Sequence, residues 1–278
     1  MTTAAIESVR QFYARMVVPQ SESAGGERLI HAFATVPREG FVGRGPWQVI
    51  TASGYIQTPS DDPAFLYQDV VVALVSARGV NNGQPSLHAT SIAVANPTPG
   101  ETVLHIGAGA GYYTAILARL VTRTGKVIAL EIDPELANRA ATNLADYPNV
   151  VVEHRSGTEG TIPDADVIYV SAGATTPLTM WFDALRPNGR LIFPLTPAEG
   201  IGGMLLVART NEGPLNAKFV SGAVFIPCIG ARDEKTAEGL TQAFRCRGTR
   251  NVDALHLGTA PDETCWFAGD GWWLSAHL

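Results

Sequence analysis

ETVLHIGAGAGYYTAILARL, residues 101–120, followed by GKVIALEID, residues 125–133, decides the reading of this chain. The apolar run Val103, Leu104 and Ile106 enters a glycine loop, Gly107-Ala108-Gly109-Ala110-Gly111, and the loop opens a helical segment. A second apolar run ends on the carboxylate of Glu131, 20 residues after Gly111. Strand, backbone turn, helix and second strand in that order make the unit that holds the nucleoside of a cofactor. Glycines let the backbone turn tightly and pass close to a ligand. The helix start adds free N–H groups and the positive end of the helix dipole. A carboxylate at the end of the second strand accepts hydrogen bonds from ribose hydroxyls and disfavours a 2′-phosphate. The G-x-G-x-G spacing argues against a dinucleotide, because Tyr112 stands where close helix-to-strand packing prefers a small residue. An oxidoreductase using NAD is therefore the weaker alternative.

Working outward, apolar runs predict strands near 102–106, 126–131, 149–153, 166–171, 189–195, 204–210 and 219–226. Helices are predicted near 112–122, 134–145 and 177–186. Alternating strands and helices imply right-handed parallel crossovers and a sheet covered on both faces. The last two strands have turn residues between them at 211–214 and no helix, so they should form an antiparallel hairpin. That ending suits a methyl-transfer enzyme better than a dehydrogenase. Upstream, helices are expected over 4–18, 27–35 and 87–95, the last stopped by Pro97 and Pro99. Residues 43–63 and 78–86 read as irregular connections around a β-branched run at 69–76. After Gly230 the pattern holds one helix near 233–245 and an aromatic tail. Trp266, Trp272 and Trp273 in that tail read as a docking or dimer contact rather than a cage for a cationic methyl group. The organisation is then an N-terminal helical and substrate-side segment (1–97), a cofactor domain (98–230) and a C-terminal extension (231–278).

The bulk numbers remove some function classes. A net charge of −6 and no Lys/Arg run give no footprint for nucleic acid. No apolar stretch is long enough to span a bilayer, and the N-terminus lacks a secretory layout, so no membrane partner is expected. Cys228, Cys246 and Cys265 are odd in number and widely spaced, which fits neither zinc nor a disulfide framework. Reduced thiols in a cytoplasmic protein are the expectation.

Several ordered segments together resemble the protein-L-isoaspartate O-methyltransferase family, from about residue 36 to residue 230. They are VPREGFV (36–42), LYQD (66–69), GQPSLHA (83–89), VLHIGAGAGYYTAIL (103–117), LRPNGRLIFPL (185–195) and FIPCIG (225–230). The resemblance implies an α/β, Rossmann-like, seven-stranded methyltransferase sheet, mostly parallel, with an antiparallel hairpin at its end. It implies S-adenosyl-L-methionine as donor and S-adenosyl-L-homocysteine as product. On the cofactor side it places Gly107, Ala108, Gly109, Gly111, Tyr112, Glu131 and Ile132, together with His105, Ser156, Gly157 and Ser171. On the substrate side it places Asp69, Asn82, Gln84, Pro85, Ser86 and His88. Ser86 also reads as a helix N-cap for residue 87 onward.

Three positions depart from the family pattern. Gly83 stands where the family usually has a serine linked to the isoaspartyl substrate. His105 stands where the first strand usually has an acidic residue, and Arg155-Ser156-Gly157 replaces a Gly-Asp-Gly. Ser156 can accept from an adenine amino group, but without charge.

A carboxylate is already nucleophilic at neutral pH, so its methylation needs in-line placement and exclusion of water, not a general base. No catalytic residue and no metal are expected, and neither G-x-S-x-G nor H-E-x-x-H occurs. The acceptor is a peptide, a protein or a small molecule. The alternatives are the same fold acting on a small metabolite or dedicated peptide, or a cofactor-binding protein without turnover. A homodimer through the C-terminal extension completes the expectations.

Overall fold

The computed structural model describes residues 3–20, 24–209 and 215–277. The chain divides into two compact units, one made of Met1–Glu101 with Ala108–Arg155 and the other of Thr102–Gly107 with Ser156–Leu278. In chain order the N-terminal elements are α1 (Thr3–Val17), α2 (Ala24–Thr35), β1 (Gln48–Thr51), β2 (Gly54–Gln57), β3 (Ala73–Val75), β4 (Val80–Asn81) and α3 (Pro85–Ala95). Next come β5 (Thr102–Ile106), α4 (Tyr112–Val121), β6 (Lys126–Glu131), α5 (Pro134–Asn143), β7 (Val150–His154) and β8 (Ala165–Val170). α6 (Thr179–Asp183), β9 (Leu185–Leu195), β10 (Gly202–Ala208) and β11 (Leu215–Ala223) follow, and α7 (Glu234–Cys246), β12 (Val252–Leu257), β13 (Cys265–Gly269) and β14 (Trp272–Ala276) end the chain.

In the first unit β6 and β7 pair in parallel, and β1–β2 and β3–β4 are antiparallel hairpins. β6 is buried from Val127 to Glu131, as a strand covered on both faces must be. α5 starts where Asp133 accepts from the amides of Glu135 and Leu136, with Pro134 in the first helical position. Tyr13, Phe33, Ile92, Tyr112 and Ile116 are buried in this unit, while Val42, Trp47, Val49, Leu66 and Val72 form a separate apolar cluster.

In the second unit the strand order is β13-β14-β12-β11-β10-β9-β8-β5. β5, β8 and β9 run parallel, and from β9 onward each neighbour is antiparallel. The expected hairpin is therefore β10–β11, whose connection at 211–214 lies outside the described residues. Val103, Leu104, Ile168, Trp181 and Phe193 are fully buried here.

All seven strands read from the sequence are present, and the differences lie at the margins. The 43–63 connection contains β1 and β2, because Val49, Ile50, Tyr55 and Ile56 favour strand despite Gly- and Pro-rich flanks. The 78–86 connection contains β4 and the first turn of α3. Ser86 is not the cap of α3: Gln84 is, without a side-chain bond, and Pro85 starts the helix. The 177–186 helix shortens to five residues. The C-terminal tail is not loose. It adds β12, β13 and β14, with Trp266, Trp272 and Trp273 each only 3% exposed. Trp266 packs with Phe219, Phe244 and Phe267, so it is core and not a docking surface. No described helix is long and apolar enough to cross a membrane.

Candidate functional site

In the first unit the glycine loop is held by the strand end it faces. Glu131 Oε2 accepts from the Gly109 amide at 2.6 Å and Oε1 from the Asp133 amide at 2.9 Å. The carboxylate is 6% exposed, and burial raises its pKa against the pull of those amides. Gly109 and Gly111 take φ of 57° and 95°. A Cβ on Gly111 would lie 2.7 Å from Leu144 Cδ1, so that turn has room only for glycine. Tyr112 opens α4 but turns into the helical core, against Phe33 and Phe41. Ile132, 42% exposed, is the first residue past the carboxylate.

The substrate-side residues also come together in this unit. Asp69 accepts from the Ser86 amide (2.8 Å), the Ser86 hydroxyl (2.6 Å) and Gln84 Nε2 (2.7 Å). Pro85, between them, starts α3. Asn82 Oδ1 accepts from the Val72 amide at 2.9 Å and its Nδ2 is buried without a protein partner. His88 is buried and stacks on Tyr113, ring centroids 3.7 Å apart.

Arg38 organises this loop and was not singled out in the sequence, although it lies within VPREGFV. It is fully buried and donates to the carbonyls of Leu66 (2.6 Å), Gln68 (3.1 Å) and Val70 (2.6 Å). Those carbonyls bracket Asp69. A buried charge is the signal that could have found it, but burial of one arginine is not legible from its neighbours in sequence.

In the second unit His105 Nε2 lies 3.0 Å from Ser171 Oγ, at the carboxyl ends of the adjacent parallel strands β5 and β8. Burial lowers the His105 pKa to about 3, so the imidazole is neutral. Gly107 (φ 76°) passes close to this pair: a Cβ there would be 3.5 Å from the Ser171 carbonyl carbon. A Cβ on Gly157 would come within 2.5 Å of Ile106 Cγ2, and the Gly157 carbonyl accepts from Trp181 Nε1. Ser156 Oγ is 2.8 Å from Thr158 Oγ1.

This chemistry fits the nucleoside end of a donor. Glu131 is a buried carboxylate that accepts from backbone amides, those of Gly109 and Asp133 among them. Each oxygen has lone-pair capacity left, and a vicinal diol brings two O–H donors. Among the described residues, no group of three or more His, Cys, Asp or Glu could hold a metal ion.

The profile of the family described as protein-L-isoaspartate(D-aspartate) O-methyltransferase (PCMT) matches residues 17–233. A protein-L-isoaspartate O-methyltransferase of Methanopyrus kandleri is 32% identical over 208 residues, 73% of this chain and 84% of that protein. A solved protein-L-isoaspartate O-methyltransferase superposes with a TM-score of 0.65 at 20% identity, covering 98% of this chain and 88% of its own. A Plasmodium falciparum structure, described as a complex of such an enzyme with S-adenosyl-L-homocysteine, gives 0.61 at 19% identity over 81% of this chain and 98% of its own. At these identities the two superpositions speak for the fold.

Proposed function

The chain belongs to the protein-L-isoaspartate O-methyltransferase family, and on that premise we propose that it methylates an ionised carboxylate from S-adenosylmethionine, with an isoaspartyl residue of a protein or peptide as the first acceptor. The observation that carries the donor half is Glu131, buried at the end of β6 with the glycine loop in its grip. Bound there, S-adenosylmethionine supplies a methyl group on a sulfonium, open to in-line displacement. Glu131 takes the ribose hydroxyls. In the first unit Ala108, Gly109, Gly111 and Ile132 belong with Glu131 to the cofactor side. Residues 98–230 hold the donor and residues 1–97 receive the acceptor.

An ionised acceptor needs no base, and the chain's chemistry agrees with that. His105 is neutral because burial suppresses its protonation, and a base that weak contributes little to proton removal. The residues act by placement. Asp69 fixes Gln84 and Ser86, and Arg38 fixes the loop that carries Asp69. The acceptor is a protein, a peptide or a small molecule.

One observation favours a second acceptor. Gly83 has φ 71°, and a side chain there would overlap His88 Nε2. The hydroxyl that the family resemblance puts at this position would require the His88 imidazole to move. A dedicated peptide or small metabolite would suit a site so changed.

Methyl-labelled donor with an isoaspartyl peptide, and the aspartyl peptide as control, separates the readings. Base-labile label on the isoaspartyl peptide alone supports the first. No label on either, with S-adenosylhomocysteine still bound, excludes isoaspartyl and leaves the second.

A further inference from the structure

A weak hairpin joins the two ends of the substrate side. β3 and β4 are three and two residues long, and between them the chain turns through Ser76–Arg78 and Gly79, where φ is 67°. An isolated two-stranded ladder is marginal in water, and residues 76–79 are exposed. What the hairpin rests on therefore decides its position.

At its base it meets β1, where the Ile50 amide donates to the Val71 carbonyl at 2.9 Å, and Leu74 packs on the apolar cluster of Trp47, Val49 and Val72. Toward its tip it rests on the two segments that Glu131 grips. Leu74 Cδ1 lies 3.4 Å from where a Cβ on Gly109 would be. Arg78 pairs with Asp133 and approaches Glu135 at 4.0 Å, and Arg139 Nη1 donates to the Leu74 carbonyl at 3.2 Å. The base of the hairpin is closed by Asn82, whose amide donates to the Val72 carbonyl at 3.0 Å and whose Oδ1 accepts from the Val72 amide. Asp69 lies just before that base, and Gly83, Gln84 and Ser86 just after it. A change at Gly109 or Asp133 thus reaches both halves of the acceptor side through one element.

Resting on the methyltransferase reading, we infer that donor binding at Glu131 seats the Ala73–Asn81 hairpin and so completes the acceptor side, making the order of binding donor first, acceptor second. Leu74 and Arg78 are positioning residues in this step. A ligand shifts such an equilibrium only by binding one state better, and contacts that settle Gly109 and Asp133 do so for the seated hairpin. The coupling is reciprocal: a seated hairpin tightens the donor in return. The Arg78 side chain is 49% exposed, so its ion pair is a weak catch that opens readily.

Hydrogen exchange on the full chain, with and without S-adenosylhomocysteine, tests this. The Gly79 and Asn82 amides, bonded to the Ser76 and Val72 carbonyls, report the hairpin. They should exchange at least tenfold more slowly with the ligand. Arg78→Ala should lose most of that gain and raise the acceptor KM severalfold, with kcat at saturation unchanged. A dead-end acceptor analogue should inhibit uncompetitively against the donor. Slowing at 107–111 and 131–133 with none at 73–82 overturns the coupling and leaves the donor assignment standing. Slowing nowhere overturns both, and tight acceptor binding without donor overturns the order.

Discussion

The imidazole of His88 occupies the space that a side chain on Gly83 would need, and it is held there by its stack on Tyr113. Gly83 also takes a positive φ of 71°, which L side chains adopt at a cost. Gly83→Ser should therefore cost about 1–3 kcal/mol of stability, the range for a non-glycine residue forced into such a conformation. Gly83→Ser with His88→Ala should recover the steric part. Urea denaturation of the parent and the two variants checks it, and a Gly83→Ser variant as stable as the parent would show that the loop relaxes freely.

Glu131→Ala should weaken S-adenosylhomocysteine binding by about 1–3 kcal/mol, the worth of a charged hydrogen-bond partner. Glu131→Gln should do no better, since the amide nitrogen that replaces one carboxylate oxygen only donates and would face the Gly109 or the Asp133 amide. Calorimetric titration measures this directly. An unchanged Kd would remove the ribose role.

His105 makes the fold acid-sensitive. Its pKa falls from 6.5 to about 3 on folding, so between those values the unfolded chain binds a proton that the native chain does not. Stability from this group is complete above the unfolded value and declines as pH drops, by about 1.4 kcal/mol per unit. From pH 7.5 to 5.0 the parent should lose about 1–2 kcal/mol more than His105→Gln. Parallel pH profiles for the two would mean that His105 protonates in place.

Arg38→Met should leave the Leu66, Gln68 and Val70 carbonyls without their donor, at a cost of about 2–4 kcal/mol for buried acceptors. Arg38→Lys should restore only part, because an ammonium lacks the planar fork that reaches three carbonyls. An Arg38→Lys variant as stable as the parent would assign the effect to charge rather than to geometry.

Trp266→Ala should cost about 3–5 kcal/mol, as for other buried large-to-small changes. Its ring packs on Phe219 and Phe244, and its Nε1 donates to the Gly248 carbonyl. A near-neutral change in thermal unfolding would show that this ring contributes nothing to the core.

The sequence by itself determined the α/β core, the glycine loop, the acidic end of β6 and the antiparallel ending. Each is written in local spacing: runs of apolar residues, positive-φ glycines and a carboxylate one strand further on. It also located the substrate-side segment, though not the links within it. Those were decided only by the tertiary structure. Asp69 meets Ser86 across 17 residues, and Arg38 meets Leu66 and Val70 across 28 and 32. The three C-terminal strands were missed for a related reason. Short aromatic runs around Trp266 and Trp272 acquire strand form from pairing and from burial against Phe219 and Phe244, and neither is encoded in the period of the run itself.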